Sequence, residues 1–188
     1  MGMQATFAKA IDYRGGEYGN AVLSREKPLS VARIPLPGME PRGLLMCEFA
    51  DCWFFATHLD SRVVPGDTEP ANVRAVSVIR QAATARAKTK PVFLAGDWNA
   101  RPDSKMVAAA REFLTVLSPV HGRTSHGFRK HDPRNGHCID YITVDCAHTG
   151  DFTVKEAHII PDAVASDHYP VVVTVGRRFC ARKDGDAQ

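Results

Sequence analysis

The chain has 188 residues, and its 24 lysines and arginines against 21 aspartates and glutamates leave a formal net charge of +3 with neutral histidines. That length suits one domain, and 44% hydrophobic with 24% charged residues is the balance of an ordinary globular protein, which excludes disorder, collagen and coiled coil. No run approaches the ~20 apolar residues that a membrane-spanning helix needs, and a weak positive excess without clustered Lys/Arg does not by itself point to a nucleic-acid partner.

In chain order, short β-rich runs stand at 20–24, 44–49, 53–57, 92–95, 139–144 and 171–175. Between the third and fourth, residues 69–87 place Val73, Val76, Ile79 and Ala83 on one face, the spacing of an amphipathic helix. A second helix is expected over 105–113, capped by Asp103 or Ser104. Pro and Gly punctuate the rest, and the polar stretch 121–137 reads as a long surface loop. The pattern favours an α/β fold in which β-sheets are flanked by helices. Residues 1–176 are expected to form a single domain and 177–188 a polar tail.

Cys47, Cys52, Cys138, Cys146 and Cys180 are an odd set without CxxC spacing, which argues against a disulfide framework and a zinc ribbon. His121, His126, His131 and His137 lie in the polar loop, but none pairs with a cysteine at zinc-finger spacing. The first residues show no basic region followed by an apolar core, so no signal peptide is visible and the compartment stays open.

Four polar clusters sit at the ends of apolar runs: Thr57-His58-Leu59-Asp60, Gly96-Asp97-Trp98-Asn99-Ala100, Cys138-Ile139-Asp140-Tyr141-Ile142 and Ser166-Asp167-His168-Tyr169-Pro170. A strand end lets a scaffold hold such groups rigidly while exposing them. Singly, each has a structural explanation, because Asp and Asn favour turns and a lone His is commonly a hydrogen-bonded structural residue. Trp98 and Tyr141 read as packing residues with a polar tip, and Asp60 as a turn residue.

Taken in order, and with Glu17-Tyr18-Gly19-Asn20-Ala21-Val22-Leu23-Ser24-Arg25 ahead of them, these clusters resemble the endonuclease/exonuclease/phosphatase superfamily of DNase I-like, metal-dependent phosphoesterases. The resemblance runs from Tyr13 to Val175. It implies a four-layer α/β/β/α sandwich, a phosphodiester or phosphomonoester as substrate, and Mg²⁺ as cofactor with Mn²⁺ as a substitute. Mg²⁺ suits that chemistry because it is a hard cation that prefers carboxylate, water and phosphate oxygens.

By residue-level match, the resemblance makes Asp97 the group that activates or orients the attacking water, and Asn99 a ligand of the reacting phosphate. On an extended segment, positions i and i+2 point the same way, so both groups could reach one centre. Asp167 would be a metal-side carboxylate together with Asp97. His168, paired with Asp140, would be a protonated imidazole at the phosphate. Both Asp167 and His168 can face the site only if the chain turns there, which Ser166 and Pro170 favour. His58 looks like the second catalytic histidine, with Glu17 as its acidic partner or, equally, as a solvated turn residue.

The chain departs from the family in one respect. The family's first half carries an Asn on its opening strand and a Gln-Glu strand end whose Glu is a principal metal ligand. Here the glutamines are Gln4, Gln81 and Gln188, none followed by Glu, and no Asn precedes Asn20. The expectation is a domain incomplete at its N-terminus, with weak metal binding, little or no activity, and an exposed sheet edge that a homodimer would cover. The phosphoester substrate stays open among a small molecule, a phospholipid headgroup and a nucleic acid. The contrasting reading is a non-catalytic binding or structural protein that retains the scaffold.

Overall fold

The computed structural model describes residues 2–127, 136–161 and 165–178. Ten strands, β1 (Gln4–Tyr13), β2 (Gly16–Ser24), β3 (Ser30–Leu36), β4 (Arg42–Glu48), β5 (Trp53–His58), β6 (Val92–Asp97), β7 (Leu114–Val116), β8 (Asp140–Asp145), β9 (Phe152–Ile159) and β10 (Val171–Arg177), combine with two helices, α1 (Ala71–Ala87) and α2 (Lys105–Arg111). A six-stranded sheet runs in the order β3-β4-β5-β6-β8-β7, and β1-β2 and β9-β10 form two further antiparallel pairs. Within the large sheet only β5 and β6 pair in parallel, joined across α1.

The alternation along β4 sorts the layers. Leu44 and Met46 pack into the main core with Ala75, Val76 and Ile79 of α1, whereas Leu45 and Cys47 pack with Ala8 of β1 and Val22 of β2. Successive strand residues point to opposite faces, so the helices cover one side of the sheet and the β1-β2 hairpin the other. The chain is therefore a mixed α/β protein. Three layers of the expected four, helix, sheet and hairpin, are present among the described residues.

The expected helix over 69–87 begins instead at Ala71, because Pro70 holds extended backbone (φ −56°, ψ 148°). Its buried residues, Ala71, Asn72, Ala75, Val76, Ile79, Ala82 and Ala83, recur at helical spacing and include the expected apolar positions Val76, Ile79 and Ala83. Ser104 caps α2 by accepting from the Val107 N–H at 3.3 Å, and the helix stops at Arg111, short of the expected 113. Of the polar loop, residues 121–127 and 136–137 are described; His131 lies outside the described residues, as do Cys180 and 179–188 of the expected tail.

Candidate active site

Strand register converts motifs far apart in sequence into one row. His58 at the end of β5 stands opposite Asp97 at the end of β6, and Asp97 stands opposite Asp140 at the start of β8. Neighbouring strands are ~4.8 Å apart, so three chemically active side chains line one end of the sheet. Gly96 permits the closeness: its φ is +151°, and a Cβ there would stand 1.9 Å from the Thr57 carbonyl oxygen. Any side chain at that position would push β5 from β6 and spread the row.

The turn after Asp97 is clamped from several directions. Trp98 is fully buried, its ring 4.5 Å from that of Tyr141, and the Tyr141 hydroxyl donates to the Ala100 carbonyl at 2.7 Å. Asn72 of α1 donates to the Trp98 and Asn99 carbonyls, both at 3.2 Å. The Asn99 backbone N–H donates to Asp97 Oδ1 at 2.7 Å, and its side-chain amide donates to the Leu59 carbonyl at 2.8 Å. Asn99 has a φ of +48°. The expected extended geometry, with Asp97 and Asn99 pointing the same way, is therefore replaced by a left-handed turn, a conformation Asn tolerates better than most residues.

His168 enters from another segment. The chain bends at Ser166, whose hydroxyl accepts the His168 N–H at 3.1 Å, and residue 168 bridges to Ser125. The His168 Nδ1–H donates to Asp140 Oδ2 at 2.8 Å, leaving Nε2 3.9 Å from Asp97 Oδ2. On the other side, His58 Nε2 lies 3.3 Å from Asp97 Oδ2. The Tyr18 hydroxyl forms a hydrogen bond with His58 Nδ1 at 3.0 Å.

The electrostatics differ from residue to residue. Burial pushes His58 down to about 4, with the nearby Arg42 and His168 adding to the effect. Burial, then the neighbouring Asp140 carboxylate, pushes Asp97 up to about 6. The hydrogen bond to Asp140 raises His168 above the usual imidazole range, against the opposing pull of burial. One imidazole is thus held neutral and the other favours its proton.

Ligand atoms of Asp97, Asp140 and His168 all lie within 4.8 Å of one another, and all three residues are half-buried. Two converging carboxylates, one of them disfavoured as an anion by the other, are relieved by a divalent cation, so these residues fit a metal. Asp167 is not part of this group: its backbone carbonyl accepts from the His126 and Gly127 N–H groups at 2.8 and 3.3 Å, and its carboxylate lies 3.5 Å from the Ser166 hydroxyl.

Of the two readings of Glu17, its contacts fit the solvated one. Glu17 lies on the exposed end of β2 and pairs with Lys9 at 3.3 Å, while its neighbour Tyr18 meets His58. Adjacent strand residues face opposite ways, so only one of the two can point at the site. The sequence reading also passed over Arg42, whose largely buried guanidinium pairs with Glu40 at 2.8 Å and acts on both His58 and Asp97. Nothing in Pro41-Arg42-Gly43 advertises that position, since burial came from the pairing of β4 with β5. Among the loop histidines, His126 is buried against the Tyr169 ring and His137 lies 2.8 Å from Arg101, so the two face different neighbours.

Comparison with known proteins agrees with this geometry. No curated protein matches the chain. Among solved structures, a functionally uncharacterised conserved protein from Enterococcus faecalis V583 superposes with a TM-score of 0.73 at 20% identity, over 94% of this chain and 77% of that one. A mannosyl-6-phosphatase from Bacteroides thetaiotaomicron VPI-5482 gives 0.68 at 20% identity, over 93% and 77%. A 3′ phosphatase from Neisseria, solved with a product DNA hairpin, gives 0.70 at 16% identity, over 93% and 80%. At these identities the likeness establishes the fold. The family model "Endonuclease/Exonuclease/phosphatase family" matches residues 5–168, and with that span the chain belongs to the endonuclease/exonuclease/phosphatase family.

Proposed function

We propose that the protein is a divalent-metal-dependent phosphoesterase that hydrolyses phosphodiester or phosphomonoester bonds slowly. The observation that carries this reading is the row His58, Asp97 and Asp140 with His168 folded over it. A metal held by the Asp97 and Asp140 carboxylates, with Mg²⁺ preferred and Mn²⁺ tolerated, would neutralise phosphoryl oxygens. Asp97 orients a water and draws its proton, and its raised affinity for protons fits that role. His168, kept protonated by Asp140, places positive charge where the phosphate gains negative charge, or gives its proton to the leaving oxygen.

His58, neutral and oriented by Tyr18, holds the other side of Asp97. Asn99 fixes Asp97 through its backbone N–H, and Asp167 positions the 126–127 backbone beside His168. Slow turnover follows from the donor set: among the described residues two carboxylates converge, and Asp97 competes between metal and proton near neutrality. A second copy of the chain would cover the free edge of β3 and the exposed Phe7 and Leu23 of the hairpin; a monomeric sedimentation profile at high concentration contradicts that arrangement.

The test is turnover of a nitrophenyl phosphodiester and monoester with Mg²⁺ or Mn²⁺, in the wild type and in His168→Ala. Slow, metal-dependent hydrolysis lost in the variant is expected. No metal-dependent hydrolysis by the wild type overturns the reading in favour of a non-catalytic scaffold, hydrolysis unchanged in the variant overturns the role of His168, and fast turnover overturns the slow-enzyme part alone.

A further inference from the structure

Beside the catalytic row lies an open groove of about 680 Å³, bordered by Arg101, Asp103, Arg111, His121 and His137. Arg101 follows Asn99 by two residues and Cys138, at the base of the groove, precedes Asp140 by two, so each wall begins within about 7 Å of chain from a catalytic position.

The two sites also share a wall. The Thr124 and Ser125 N–H groups donate to the His137 carbonyl at 2.9 and 3.0 Å, while the Thr124 hydroxyl accepts from the Ile139 and Asp140 N–H groups at 3.0 and 3.1 Å. Ser125 in turn bridges to His168. Gly136 makes this wall possible: with φ +102°, a Cβ there would stand 1.9 Å from the Ser125 carbonyl oxygen.

The charge in the groove is unbalanced. Arg101 lies against His137 Nε2 at 2.8 Å rather than against a carboxylate, and neither Arg101 nor Arg111 forms an ion pair among the described residues. Asp103 is the single carboxylate among the described lining residues. Two guanidinium groups bordering one groove, with one carboxylate among its described lining residues, are arranged to receive an anion, and Arg suits the oxygens of a phosphate.

We propose that this groove is a subsite for a second phosphate group, so that the preferred substrate is a small molecule carrying two phosphoryl groups. The groove's volume is that of a small-molecule pocket, which favours such a compound over a single-stranded nucleic acid. The identity of the substrate rests on the phosphoesterase reading, whereas anion binding by the groove does not.

The test is calorimetric titration of the full chain with inorganic pyrophosphate in EDTA, so that no metal-bound site contributes. Saturable one-to-one binding is expected, weakened at least about tenfold in the double variant Arg101→Ala/Arg111→Ala. It should change by less than about twofold in Arg74→Ala, which removes an exposed arginine elsewhere. Circular dichroism establishes that the double variant is folded; if it is not, Arg101→Gln alone is measured and still must weaken binding.

Three results overturn the subsite: no saturable binding to the wild type, unchanged affinity in the arginine variants, or displacement of pyrophosphate by oligothymidylate at equal phosphate concentration. Turnover of a generic phosphoester without pyrophosphate binding removes the subsite and leaves the enzyme standing. Pyrophosphate binding without any turnover removes the enzyme and leaves the anion site.

Discussion

Asp60 and Asp97 stand at the ends of neighbouring parallel strands and both are shielded from water, yet their surroundings are opposite. Asp60 accepts from the Met39 and Glu40 N–H groups and from the backbone, Nε and Nη2 of Arg62, all between 2.8 and 3.2 Å. The Arg62 guanidinium, helped by those backbone donors, holds its carboxyl far below the usual carboxylate range. Asp97 receives one short bond, from the Asn99 N–H, and otherwise faces two imidazoles and a second carboxylate. A buried carboxylate saturated with donors fastens a turn; one left short of donors beside another acid has unspent capacity for a proton or a cation.

Removing the two carboxylates separately is the sharpest way to break this contrast. Asp97→Asn and His168→Ala are each expected to lower metal-dependent turnover by about 10² or more, since both act where charge develops. A loss of tenfold or less in steady-state assays would reduce that residue to positioning. Asp60→Ala should lower unfolding stability by about 3 kcal/mol in urea titration, because several buried donors lose their acceptor together. A change below about 1 kcal/mol would mean that water replaces the carboxylate.

The opposite sign is expected for stability at Asp97. Its folded-state value of about 6 lies above that of an unfolded carboxyl, so the charged form costs stability above that value and the cost disappears as pH falls towards the unfolded value. At pH 7 without metal, Asp97→Asn should therefore stabilise by roughly 2 kcal/mol. Divalent metal should raise the melting temperature of the wild type more than that of this variant. The Asp60 contribution is instead fully present above the unfolded carboxyl value and is lost as pH falls through its depressed folded value, so Asp60→Asn should flatten the acid limb of the stability curve. Smallest of all, Tyr18→Phe should lower turnover by about fivefold to tenfold through loss of one hydrogen bond to His58. An unchanged rate would make the Tyr18 contact incidental.

Much of the sheet was legible from apolar runs: the cores of β2, β4, β5, β6, β8 and β10 all contain Val, Ile, Leu or Phe bounded by turn residues. β1 and β9 escaped notice because they are mostly exposed and lack a clean alternation, Gln4–Tyr13 and Phe152–Ile159 being held by hairpin pairing; β3 does alternate, with Ala32, Ile34 and Leu36 turned to the core, but is interrupted by Arg33 and Pro35. Residues 97, 140, 58 and 168 were visible as polar groups closing apolar runs. Tyr18 was passed over in favour of Glu17 because the choice between adjacent strand residues depends on which face the hairpin turns inward.

The local chemistry belonged to the sequence alone: which apolar runs extend, and that acids and imidazoles stand at their ends. These follow from side-chain shape and backbone preference over a few residues. Tertiary structure decided what no local pattern encodes. Strand register set His58, Asp97 and Asp140 in one row, burial and hydrogen bonding together separated the proton affinity of His58 from that of His168 and of Asp97 from that of Asp60, and the fold of 120–125 against 136–138 gathered Arg101 and Arg111 around one groove. Distances between remote residues and the withdrawal of water arise only when the sheet closes, and those two quantities govern electrostatic strength.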